Sequence, residues 1–238
     1  MTDDVLIVED LTHAGRLIRV LKLNRPGRRN CLNLALLDAL NGAIRSAGDA
    51  VLLLAARGPD FCTGLDLAEL FDRRATGEHL CRLIEVLDAL AHHPSPTVSL
   101  IDGQASGGGV ALACCADGVL ARRCAWLKLP GNRALRPMVR VILPLIAARR
   151  NTDETCLDSL IGETLTVDRA RSERLVDRIV DDGVPEAIEC AASQALPDRR
   201  VGRAAAAFEL ARQRLETATA PEPTARLMEI LEVHFGRK

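Results

Sequence analysis

The sequence predicts an α/β fold, and three observations carry that prediction. Apolar runs of strand length alternate with longer runs at helical spacing. Two strand-to-helix junctions are glycine turns, at Gly58 to Leu67 and at Gly103 to Ala111. The chain of 238 residues, 48% of them hydrophobic, is long enough for one globular domain with a substantial core.

Each element follows from its residues in turn. Leu17 to Leu23 reads as a strand and Leu34 to Ala47 as a helix. Val51 to Ala55, inside the β-rich apolar run Ala50 to Ala56, is a second strand. It enters the first glycine turn, Gly58-Pro59-Asp60-Phe61-Cys62-Thr63-Gly64-Leu65-Asp66-Leu67, and a helix-like segment from Asp66 to Arg74. Glu78 to Ala91 is helix-like. Thr97 to Ile101 is a third strand, and it enters the second glycine loop, whose Gly107-Gly108-Gly109 precedes a helix-like run from Val110 to Cys115. Gly118 to Ala121 and Trp126 to Leu129 are strand-like. From Asp153 the chain reads helical apart from the short apolar Leu175 to Val180. Arg199 to Lys238 carries apolar residues at helical spacing, and Thr217 to Pro223, with Pro221 and Pro223, breaks that tail into two helices. There is no internal repeat, and Ala204 to Ala207 is a good helix former.

The composition narrows the function classes. A net charge of −1 with arginine spread along the chain argues against a nucleic-acid footprint, which is clustered and positive. No membrane segment is expected. The eight cysteines lack Cys-x-x-Cys spacing and sit mostly in apolar runs, so they read as reduced small hydrophobes in a cytoplasmic protein. The acidic start Met1-Thr2-Asp3-Asp4, with no signal-peptide apolar core, points the same way. The five histidines form no ligand motif with those cysteines, and no metal is expected.

The chemistry lies in the two glycine junctions. Consecutive glycines at a helix start let the backbone approach a ligand closely and leave N–H groups pointing outward. Alone, the second loop reads as either a phosphate cradle or a tight turn. Two such junctions in one domain suit a pair of backbone donors converging on one carbonyl oxygen.

Here the sequence resembles the crotonase (enoyl-CoA hydratase/isomerase) superfamily. Leu23-Asn24-Arg25-Pro26-Gly27-Arg28-Arg29-Asn30-Cys31-Leu32 is similar to that family's first signature, Phe61 to Leu67 to its second and Ile101 to Ala113 to its third. They stand in the family's order and spacing, over roughly residues 15 to 182. The resemblance implies a crotonase-like spiral of ββα units in residues 1–182 and a C-terminal helical segment, 183–238, that serves assembly or covers the site. It also implies a homotrimer or hexamer.

Carried over by position, the resemblance implies that the N–H groups of Leu65 and Gly108 form an oxyanion hole, flanked by Gly64, Gly107 and Gly109. It implies that Arg25, Arg28 and Arg29 meet phosphates and that Asp66 borders the substrate. No bound cofactor is implied; the substrate is an acyl thioester on coenzyme A or phosphopantetheine. The two catalytic glutamates of the hydratases fall at Ala111 and at Gly131, after Leu129-Pro130. Both carboxylates are absent, which disfavours ordinary hydration. Ile101 to Leu112 and Pro137 to Ile146 resemble dehydratase members of polyketide β-branching cassettes, which act on acyl carrier protein. Those also lack the first glutamate but usually keep the second. Ala68, where the family often has lysine, shifts the balance from coenzyme A toward a carrier protein.

Replacement groups are sought nearby. Glu69 with Arg73, an i, i+4 pair, reads as a solvated surface pair or as catalytic. Lys128 reads as a buried, shifted amine or as a snorkelling lysine. Ser106, Asn132, Arg133 and Arg136 complete the candidates, and Asp66 also reads as a carboxylate meeting helix N–H groups. Cys62 lacks a basic partner and reads as a small filler. The expected activity is dehydration, isomerisation or decarboxylation through a stabilised enolate, and the alternative is a catalytically silent subunit or scaffold.

Overall fold

The structure, a computed structural model, describes residues 4–70, 73–131, 136–193 and 203–218. A six-stranded sheet holds β1 (Leu6–His13), β2 (Arg16–Leu23), β3 (Val51–Ala56), β4 (Thr97–Ile101), β6 (Gly118–Arg122) and β9 (Arg178–Val180), in the order β1-β2-β3-β4-β6-β9. Only β1 and β2 are antiparallel; the other neighbours run parallel. A second sheet has the order β5-β7-β8, from β5 (Gln104–Ser106), β7 (Trp126–Lys128) and β8 (Thr164–Thr166). The helices are α1 (Leu34–Arg45), α2 (Leu67–Leu70), α3 (Arg73–Ala91), α4 (Gly108–Cys114), α5 (Arg136–Arg150), α6 (Val167–Ser172), α7 (Val184–Ala192) and α8 (Arg203–Ala218).

The chain visits the large sheet, then the small one, then a helix. β4, β5 and α4 make one such turn and β6, β7 and α5 the next. Isolated parallel bridges, Leu32 with Leu65 and Cys62 with Ala105, extend the small sheet's pairing back into earlier turns. The result is the expected spiral of ββα units.

The central strands read as unbroken apolar runs because both faces are buried, as parallel sheets require. Leu52 and Leu54 enter the main core with α1, α3, α4 and α5, while Val51 and Leu53 face a second cluster. That second cluster is closed by Ala187, Cys190 and Ala191 of α7.

Four features depart from the sequence expectation. β1 shows no apolar alternation because it is an edge strand with Glu9, Asp10, Thr12 and His13 exposed. It joins β2 through Ala14 and Gly15, both at positive φ (49° and 75°), the backbone of a tight hairpin turn. The region after Asp153 is not simply helical: a 3-10 stretch over Glu154–Leu160 and strand β8 precede α6, and β8, with one buried residue, is too short for periodicity to register. The helix expected over Asp66 to Arg74 is the single turn α2, with α3 starting at Arg73. α5, with Pro144 inside it, has no counterpart among the expected elements. α8 is described as far as Ala218, and the rest of the expected proline break and second tail helix lies outside the described residues.

Candidate functional site

The first glycine junction is held by the parallel bridge between Leu32 and Leu65. In such a bridge the flanking groups bond, so Leu32 N–H donates to Gly64 C=O (2.8 Å) and Asp66 N–H donates to Leu32 C=O (2.9 Å). The N–H of Leu65 therefore points away from Leu32. The second junction turns at Gly107, whose φ of 51° and ψ of −118° only glycine adopts readily, and α4 starts at Gly108. Gly107 N–H donates to Lys128 C=O (3.0 Å), whereas Gly108 N–H stands in the first turn, without an intrahelical acceptor.

The two junctions touch backbone to backbone. A Cβ on Gly109 would fall 2.2 Å from Cys62 O, and one on Gly64 would fall 2.9 Å from Ser106 O and 3.2 Å from Gly108 N. Glycine is therefore required at both positions. Leu65, next to Gly64, and Gly108 thus come to the same spot, and among the described residues neither N–H has a protein acceptor. Leu83 of α3 closes one side, with Cδ2 3.4 Å from the Cβ position of Gly108.

The charged candidates have partners of their own. Asp66, only 3% exposed, binds Arg25 (3.1 Å), Arg28 (3.3 Å) and the N–H of Ala68 (3.2 Å). Burial would raise its pKa, but hydrogen bonds from the Cys31 thiol and from Arg25 outweigh burial and hold it below the usual value. It caps α2 as expected, from a buried position rather than a solvated one. Arg25 is largely buried, whereas Arg28 and Arg29 stay exposed; Arg29 pairs with Asp60 (2.8 Å) and with Gln104.

Glu69, its side chain 39% exposed, is a partly solvated carboxylate with partners other than those that helical spacing suggests. One of its oxygens lies 2.6 Å from Nε2 of His79, a ring that is 1% exposed, and accepts from the N–H of Leu34 at the start of α1 (3.2 Å). Burial raises its pKa, yet those two bonds prevail and hold it below the ordinary value. The side chain of Arg73 lies outside the described residues.

His79 carries no sequence motif, and its pairing with Glu69 ten positions earlier is invisible to helical spacing. Asn30 carries no role in the sequence analysis either; the sequence offers only an asparagine after two arginines, a residue type tolerant of the left-handed backbone (φ 52°) it adopts. Lys128, half-buried, sits opposite Ser106 in the β5–β7 register and, among the described residues, forms no ion pair. Ser106 Oγ donates to Thr63 C=O (3.0 Å).

At the two positions where the resemblance expects glutamates, the surroundings differ: one is interior, and the other is exposed but pressed against backbone. Ala111 is fully buried in α4. Gly131 packs on Gly162, where a Cβ would fall 2.7 Å from Gly162 Cα, and Gly162 N–H bonds Leu129 C=O (2.7 Å). Asn132 and Arg133, and the side chain of Arg136, lie outside the described residues. The Cys62 thiol is buried and pushed up to about 12, chiefly by desolvation, which opposes a nucleophilic role. Among the described residues no group of three His, Cys, Asp or Glu side chains could hold a metal, and no helix is long and apolar enough to cross a membrane.

Known proteins share this architecture. The enoyl-CoA hydratases of Bacillus anthracis (TM-score 0.70, 22% identity, 98% of this chain and 97% of that one) and Bacillus halodurans (TM-score 0.71, 20% identity, 94% and 99%) have the same fold. In sequence, the chain is 34% identical over 178 residues to an enoyl-CoA isomerase/hydratase of Zymoseptoria tritici, and 28% identical over 183 residues to the mitochondrial methylglutaconyl-CoA hydratase of Mus musculus. Those matches cover 71% and 74% of this chain but 53% and 55% of the relatives, so the chain spans about half the length of these curated relatives. Residues 14–208 match the enoyl-CoA hydratase/isomerase family, and with its ββα spiral and paired glycine junctions this chain belongs to that family.

Proposed function

We propose that this protein is an acyl-thioester enzyme in which the N–H groups of Leu65 and Gly108 bind the thioester oxygen and stabilise an enolate. One observation carries the reading: two neighbouring backbone donors with no acceptor among the described residues, where two glycine-dependent junctions meet. Each such donor contributes about 3–4 kcal/mol in well-studied oxyanion holes. The names of the relatives support a coenzyme A thioester, and Ala68 favours phosphopantetheine on an acyl carrier protein.

The reaction is dehydration, isomerisation or decarboxylation in a polyketide-type pathway rather than two-carboxylate hydration. The buried Ala111 and the backbone of Gly162 against the Cβ position of Gly131 support that choice. Glu69, backed by His79, is the carboxylate assigned to proton transfer, and Lys128 is the second candidate. The protein is expected to work in the cytoplasm as a homotrimer or hexamer. The same two positions favour one competing reading, a catalytically silent subunit that binds a carrier protein or a catalytic paralogue.

The test is a panel of acyl thioesters on coenzyme A and acyl carrier protein, followed by the mass change for loss of water or carbon dioxide. Gly108→Pro, which deletes one donor and distorts the turn, should abolish binding of a non-hydrolysable acyl-pantetheine. Binding unchanged in Gly108→Pro overturns the carbonyl role. Absence of thioester binding, together with a stable complex with a carrier protein, establishes the scaffold instead.

A further inference from the structure

The loop before the first helix holds the segment that carries Leu65 along its whole length. Asn30, fully buried and left-handed like Arg29 (φ 52° and 51°), donates from Nδ2 to Arg57 C=O (2.9 Å) and Asp60 C=O (2.7 Å). Its Oδ1 accepts from the N–H of Arg25 (2.8 Å), closing the loop on itself. Arg29 C=O accepts from the N–H (3.3 Å) and the hydroxyl (3.2 Å) of Thr63. Leu32 takes Gly64 C=O and Asp66 N–H, and Arg25 reaches past Cys31 to the Asp66 carboxylate (3.1 Å). Residues 57, 60, 63, 64 and 66 are thus each tied to the same short loop, and the N–H of Leu65 is left facing the other way.

We propose that Arg25 and Asn30 are positioning residues, whose joint hold on Asp60 and Asp66 fixes the Leu65 peptide so that its N–H converges with that of Gly108. The inference rests on the reading of those two groups as the carbonyl-binding pair. It gives Arg25 a task inside the protein instead of on a phosphate. Both act through the orientation of one peptide plane, where an error of about 1 Å costs on the order of 10²-fold in rate.

The experiment reads carbonyl polarisation directly. Crotonyl thioesters of coenzyme A and of pantetheine, ¹³C-labelled at the carbonyl, are bound to the full chain, and the C=O stretch is followed by difference infrared spectroscopy. The wild type should move the stretch to lower frequency. Arg25→Lys, which loses the planar fork, and Asn30→Gly, which keeps the left-handed backbone but loses the amide, should still bind yet lose most of that shift. On any thioester that the protein turns over, kcat should fall on the order of 10²-fold while KM stays near its original value.

A full shift in both variants overturns the proposal and leaves the carbonyl-binding reading standing. No shift in the wild type overturns that reading and this proposal with it. Thermal melts run first. Should Asn30→Gly fail to fold, Arg25→Lys decides alone; loss of folding in both makes the loop a scaffold for the whole domain and overturns the specific positioning role.

Discussion

Gly131 meets Gly162 backbone to backbone, with 2.7 Å between the place of a Cβ and Gly162 Cα, and backbone cannot swing aside as a side-chain tip can. Gly131→Glu should therefore lower stability by roughly 1–3 kcal/mol, the usual cost of overpacking, without creating hydration activity. Adding Ala111→Glu places a carboxylate in the packed interior of α4, where an unpaired charge costs more still. Thermal melts and crotonyl-CoA absorbance check both statements, and a gain of hydration in the double variant would show that the strand end opens. At Cys62 the prediction concerns reactivity. Desolvation pushes its thiol up to about 12, so the thiolate is scarce at pH 8 and appears only as pH approaches that value. Brief iodoacetamide treatment of the native protein at pH 8 should label the exposed Cys124 and Cys156 and spare Cys62, as read by peptide mass spectrometry. Prompt labelling of Cys62 would reopen it as a nucleophile.

Between elements, side chains complete what the backbone leaves undone. Pro144 lies inside α5 and has no N–H for the carbonyl four residues earlier, that of Arg140; Arg214 of α8 donates to that oxygen instead, at 2.9 Å. Arg214→Ala should cost about 0.5–1.5 kcal/mol, and less in a Pro144→Ala background, where the helix supplies its own donor. A double-mutant cycle measures that coupling, and strict additivity would refute it. Glu69 links α1, α2 and α3 through Leu34 and His79. Because its folded pKa lies below that of an ordinary glutamate, its contribution is complete above the ordinary value and lost as pH falls through the folded one. Glu69→Gln should therefore flatten the fall in stability below about pH 5 and leave neutral-pH behaviour flat, as measured by urea unfolding at each pH. None of this was legible in the sequence. Glu69 with His79, Arg25 with Asp66 and Arg214 with Arg140 are partners that folding alone brings together, whereas the glycine junctions were legible because their constraint is local to the chain.

At the scale of the molecule, the parallel strands could be read because burial on both faces writes them as continuous apolar runs; β1 and β8 could not, since an edge strand and a three-residue strand leave no pattern. The same two-sided burial gives α7 a place in the core. The sequence reading divides the chain at residue 182, between β9 and α7. Yet α7 covers Ile18, Val20, Val51, Leu53, Val98, Leu100 and Leu120 with the small side chains of Ala187, Cys190 and Ala191, which let the helix lie close to the sheet. Uncovering a large apolar side chain forfeits about 1.5–3 kcal/mol, and seven of them together match or exceed the 5–15 kcal/mol by which domains are usually stable. A chain ending at residue 182 should therefore aggregate or bind a hydrophobic dye without a cooperative melt. Truncation also removes α8, so Ala191→Asp in the full chain isolates the α7 contact. A charge at that fully buried site should cost more than about 3 kcal/mol. A truncated chain that stays soluble and melts cooperatively, or an Ala191→Asp variant as stable as the wild type, would mean that the spiral stands without α7, leaving that helix free for assembly or for the site.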